Sequence, residues 1–94
     1  MSAILSDISM QHEEHLGLLK KGESAIVKGL AVTHSADQLA MKTRLLELGF
    51  APGERIRVVA ESFPRRDPIA VKLGNTTFAL RRHEASLIHI LRDA

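Results

Sequence analysis

The residues of this 94-residue chain best suited to chemistry lie in three short clusters. The first is His12-Glu13-Glu14-His15. Its two imidazoles are three residues apart, so on a helix they would share a face and could hold one transition-metal ion, zinc or ferrous iron. Two ligands do not close a zinc site, which normally takes three or four. Glu13, Glu14 or a second copy of the chain would have to complete it, which points to a metal-bridged homodimer about a two-fold axis. The bland alternative is a solvated terminal segment. The other clusters are the pairs Arg65-Arg66 and Arg81-Arg82, suited to phosphates or to acidic side chains, or simply a solvated face.

Several kinds of chemistry are excluded by residue type. There is no Cys, hence no disulfide and no thiolate metal site. No serine sits in a Gly-x-Ser-x-Gly setting, and there is no Gly-rich phosphate loop. His34, His83 and His89 are isolated. The expectation is a non-enzymatic protein that needs no cofactor. Residues 1–23 hold two Lys against four acids, and residues 24–94 hold eleven Lys and Arg against seven acids. An acidic arm thus precedes a basic body. Single-strand nucleic-acid binders add stacking aromatics to such charge, and this chain has three Phe, no Trp and no Tyr, so nucleic acid is not expected as a partner. No apolar run approaches a membrane span, so no membrane insertion is expected.

The elements that must position these groups are short. Alternation over Ser24–Leu30 predicts a strand, with Ala25 and Val27 on one side and Gly29 marking a bulge or a close backbone approach. Ser35 and Gln38 stand at capping-box spacing ahead of a helix over Ala36–Leu48, which Gly49 closes in the left-handed conformation. Pro52-Gly53 predicts a type II turn. Glu54–Ser62 reads as a strand with Ile56, Val58 and Ala60 on one face and Arg55 and Arg57 on the other. Two prolines make Phe63–Pro68 a loop. Ile69–Leu73 and Thr76–Leu80 form a hairpin about Gly74-Asn75, pairing Val71 with Phe78 and Ile69 with Leu80. A short helical turn at His83–Ser86 and a last strand at Leu87–Leu91 complete the chain. The fold expected is mainly β: a small SH3-like barrel of five strands with one embedded helix, preceded by an N-terminal arm or short helix. An OB-like barrel is the alternative. Residues 1–15 are assigned to the arm and 16–94 to the barrel.

Two features single out a binding surface. The apolar arc of the Ala36–Leu48 helix runs from Leu48 and Met41 through Leu45 to Leu46 and Leu39, with Lys42 inside it. That is wider than one core face needs. Phe63 beside Arg65 and Arg66 has the composition of an interaction hot spot. Lys42, Leu45, Phe63, Arg65 and Arg66 are therefore the candidate partner-binding residues. The bland reading is a helix whose leucines are all core, with Lys42 snorkelling over them.

Three stretches together carry a resemblance: Leu19–Ala25, the Arg44–Glu54 run RLLELGFAPGE, and Asp67–Val71 with Phe78–Ala85, Ile88 and Ile90. The chain over 19–91 resembles the ferrous-iron transport protein A family, FeoA. The resemblance implies an SH3-like barrel in the cytoplasm, peripheral to the inner membrane through a partner. That partner is the FeoB permease with its GTPase domain, whose ferrous-iron transport the barrel would modulate. Similar domains end the iron-dependent repressors of the diphtheria-toxin-repressor class, behind a helix-turn-helix. The 23 residues ahead of this barrel are too few for one, so the stand-alone transport form is expected. A rival of another class is a small metal-binding or metal-sensing protein.

Overall fold

The computed structural model describes residues 14–92. A one-turn 3-10 helix at Leu16–Leu18 leads into strand β1 (Ser24–Leu30). Helix α1 (Ala36–Leu48) follows, then β2 (Arg55–Glu61), β3 (Ile69–Leu73), β4 (Thr76–Leu80), the four-residue helix α2 (Arg82–Ala85) and β5 (Ile88–Arg92). The strands form one antiparallel sheet in the order β4-β3-β2-β1-β5. This five-stranded antiparallel architecture with one embedded helix is the SH3-like barrel expected from the sequence.

The turn chemistry accounts for the connections. The Ser35 hydroxyl accepts the amide of Gln38 at 3.1 Å, satisfying one of the free N–H groups at the start of α1. Gly49 ends that helix at φ 111°, and Phe50 N–H donates to the Leu45 carbonyl at 3.1 Å. The chain is thereby turned so that Phe50 drops fully into the core against Phe78, ring centroids 5.6 Å apart. Glu54 N–H donates to Ala51 O across the Pro52-Gly53 turn. In the hairpin, Val71 faces Phe78 and Ile69 faces Leu80, the expected register.

The core lines the inner face of the sheet: Ala25 and Val27 from β1, Ile56 and Val58 from β2, Ile69 and Val71 from β3, Ile88 and Ile90 from β5. Leu16 and Leu19 are fully buried with them. Two bulges break the alternation. The β1–β5 register shifts between Val27 and Gly29, as Gly29 suggests. The β2–β3 register shifts between Val58 and Ala60, which corrects the expected facing of Ala60. Val59 is the extra residue, so Ala60 pairs with Ala70 and points outward, exposed. Glu14 and His15, expected in the arm, are already attached to the sheet. Ile90 N–H donates to Glu14 O at 3.0 Å, and His15 bridges His89. Among the described residues no helix is long and apolar enough to cross a membrane.

Candidate functional site

The loop between β2 and β3 is closed at its base by Ser62 N–H donating to Pro68 O at 3.0 Å. Its Phe63-Pro64 and Asp67-Pro68 peptides are cis, and Arg66 has φ 61°. Phe63 is 96% exposed, and Arg65 and Arg66 are exposed beside it. A bare phenyl ring next to two guanidinium groups can bury apolar area and pair with carboxylates in one contact.

What holds this loop in place is Arg82. Its backbone N–H donates to Asp67 Oδ1 (2.9 Å) and its Nε to the Arg66 carbonyl (2.8 Å). Its Nη1 reaches the carbonyls of Gly17 (3.0 Å) and Leu19 (2.7 Å), and its Nη2 pairs with Glu61 at 2.6 Å. One guanidinium thus ties the 3-10 turn, the end of β2 and the loop together. The sequence reading of Arg81-Arg82 as a ligand-holding or solvated pair fits Arg81, which is exposed, but not Arg82. Nothing local in the sequence marks the difference, because the partners of Arg82 lie 15 to 65 residues away. Only the alternation of exposed Arg81 with half-buried Arg82 at the start of α2 separates them.

Helix α1 splits its wide apolar arc in two. Leu45 is 2% exposed, with Met41 and Leu48 packed against the same core. Leu45 is therefore corrected from a candidate contact residue to a core residue: it sits at the centre of the arc, which faces inward. Leu39 (56%) and Leu46 (46%), seven residues apart on one side, are open to solvent, with Lys42 half-buried between them. The breadth of the arc signalled the exposed side; the choice of Leu45 within it did not follow.

His12 and Glu13 lie outside the described residues. His15 is extended (φ −137°, ψ 162°) and pairs with His89. Because Ile90 N–H bonds to Glu14 O, the two histidines form a non-hydrogen-bonded antiparallel pair, the kind in which side chains stand closest. Burial, then the nearby His89, lowers the pKa of His15 from its ordinary value, and Glu14 opposes the shift. The His15 Nδ1 is buried without a hydrogen-bond partner. Among the described residues no group of three or more His, Cys, Asp or Glu is placed to hold a metal. The Glu14 carboxylate is engaged by Arg92 Nε.

The structure is thus a small SH3-like barrel with an exposed aromatic-basic loop and, among the described residues, no group of three or more His, Cys, Asp or Glu that could hold a metal ion. The FeoA domain family model matches residues 15–92, and the chain belongs to that family, which is associated with ferrous-iron transport. It is similar to the FeoA of Stenotrophomonas maltophilia, whose structure was solved with zinc. That match has 38% identity and a TM-score of 0.72 and covers 82% of this chain and 88% of that one. It is also similar to the FeoA of Chlorobium tepidum (34% identity, TM-score 0.65, 83% of this chain and 70% of that one). A manganese-dependent transcriptional repressor, at 18% identity and a TM-score of 0.70, shares the fold over 86% of this chain and 42% of its own. No curated protein matches the sequence.

Proposed function

We propose that this chain is a cytoplasmic, non-catalytic accessory protein of ferrous-iron uptake. It docks on the soluble cytoplasmic side of a FeoB-type permease, peripheral to the membrane, and modulates transport. The observation that carries this reading is the 96% exposure of Phe63 between a rigid anchor and two free-standing arginines. A ring left in water on a loop tied by two hydrogen bonds to Arg82, which is itself tied to Glu61 and the 3-10 turn by three more, is held ready for a partner. The side of α1 with exposed Leu39 and Leu46 and half-buried Lys42 adds a second apolar-basic patch. Family membership supplies the transport setting, and the S. maltophilia relative is itself regarded as a candidate activating factor of ferrous-iron transport. The test is capture of the permease's purified cytoplasmic domain by the full chain. Exchanging Arg65 and Arg66 for Glu should abolish capture and leave the melting midpoint nearly unchanged, since both side chains are exposed. Undiminished capture removes the loop from the interface.

A second reading, metal binding, is favoured by one observation: the His15–His89 pair brings two imidazoles side by side. Zinc accompanies the S. maltophilia relative. The residues fit such an ion incompletely, because the described part of this chain offers no third ligand. Completion would take His12, Glu13 or a second copy, giving a metal-bridged dimer. Sedimentation with and without zinc decides it. A mass increase in the native chain that is absent from a His12→Ala, His15→Ala variant supports the bridge, and equal behaviour removes it.

A further inference from the structure

The outer face of the sheet carries a feature that the docking loop does not use. A cleft of about 500 Å³ is lined by Glu54, Arg55, Arg57 and Lys72. A second, of about 250 Å³, is lined by Lys21, Arg57, Val59 and Lys72. The two share Arg57 and Lys72, which face each other across the β2–β3 ladder. They are therefore two ends of one groove running along β2 from Glu54 to Val59. Five residue steps of strand make it roughly 16 Å long. Lys21, Arg57 and Lys72 take no carboxylate partner among the described residues, and all three are exposed. Glu54, at one end, is the single acid among the described residues that line it.

We infer that this groove binds an extended acidic polypeptide segment of a partner protein. Length and charge spacing carry the inference. Arg57 and Lys72 stand opposite each other across the β2–β3 ladder with Lys21 further along the groove, so these three cations follow one another along it. An extended segment with carboxylates at alternate positions sets them about 7 Å apart, so one carboxylate meets the Arg57 fork beside Lys72 and the next lies towards Lys21. A single phosphate would occupy only a fraction of the groove. A nucleic-acid strand would want aromatic faces to stack on, and none lines it. Glu54 sets a direction by repelling carboxylates at its end, so the acidic positions lie towards Lys21. The groove shares no residue with Phe63, Arg65 and Arg66, so binding there stands or falls independently of the docking loop.

The experiment is fluorescence anisotropy on the full chain with a labelled hexapeptide alternating glutamate and serine, at low salt. The native chain should bind it, and an Arg57→Glu, Lys72→Glu variant should bind about ten-fold more weakly. An Arg57→Gln, Lys72→Gln variant, checked for an unchanged melting midpoint, guards against a folding defect and should lose affinity in the same direction. The Arg65→Glu, Arg66→Glu variant should bind like the native chain. No peptide binding, equal binding by the Arg57/Lys72 variants, or equal competition by pyrophosphate or by an oligothymidylate of the same charge would each overturn the assignment.

Discussion

Arg65 and Arg66 stand on the loop after β2 with their side chains in solvent, whereas Arg82 lies in the angle between that loop, the end of β2 and the 3-10 turn, its donors taken by three carbonyls and Glu61. The two sets meet at one atom: the carbonyl of Arg66 accepts from Arg82 Nε. Arg66 therefore contributes its backbone to the scaffold and its side chain to the surface. The same residue type does opposite work in the two places because of what surrounds it. A planar guanidinium is held firmly only where several acceptors already converge, and several do at Arg82. Where no acceptor converges, its charge stays available to a partner. Rigidity and binding are thus carried by neighbouring arginines and should be separable by mutation.

The largest effect is expected at Arg82. Arg82→Ala removes one ion pair and three side-chain bonds to carbonyls, and leaves Glu61 partly buried without its cation. It should destabilise the domain by about 3 kcal/mol. Thermal melting should fall by roughly 15 °C, and partner capture should fall with it as the loop loses its anchor. Arg82→Lys should recover only part, because an ammonium cannot reproduce the fork. A melting curve like that of the native chain would dissolve the contrast between the two arginine sites.

Gly17→Ala tests the same anchor from the other side. A Cβ there would lie 2.6 Å from the backbone carbonyl of Arg82, an overlap that only a shift of the 3-10 turn can relieve. Denaturant titration should show a loss of about 2 kcal/mol. An unchanged midpoint would mean that the turn is not pinned.

Phe63→Ala sharpens the comparison by doing the reverse. With the ring already 96% exposed, stability should stay within about 0.5 kcal/mol of native while capture of the permease domain weakens. A clear stability loss would move Phe63 into the scaffold.

The smallest effect is a pH slope. Burial and the neighbouring His89 hold the His15 imidazole below its ordinary pKa of 6.5. As pH falls through 6.5 the unfolded chain takes up its proton first. The contribution of His15 is therefore full above that value and is lost as pH drops towards the lowered folded pKa. A His15→Asn variant should melt with a shallower dependence between pH 7.5 and 5, measured against the native chain by differential scanning fluorimetry. An equal slope in both would assign the dependence to other groups.

Much of this fold was legible because its signals are local. Ser35 with Gln38, Gly49, Pro52-Gly53 and Gly74-Asn75 each fix a turn through their own backbone geometry, and alternation then fixes which side chains face the core. What escaped depends on pairing across the chain. The extra residue at Val59 turned Ala60 outward, and no residue type announces it. The role of Arg82 required the 3-10 turn to come beside α2. Arg57 and Lys72 become neighbours only once β2 and β3 are in register, so the groove is invisible in sequence. On α1 the width of the apolar arc was readable, but which edge stayed in water was not, since that is set by how the helix seats on the core.

The contact between Glu14 and Arg92 joins the first and last described residues. Since β1 and β5 are neighbours as well, the chain enters and leaves the barrel at one spot. A domain with adjoining ends is a cassette. It can be spliced into a loop of a host protein, or have its ends joined and be reopened elsewhere, without disturbing its strand order. Opening the joined chain at Gly74-Asn75, the exposed turn of the β3–β4 hairpin, is the natural first permutation to build.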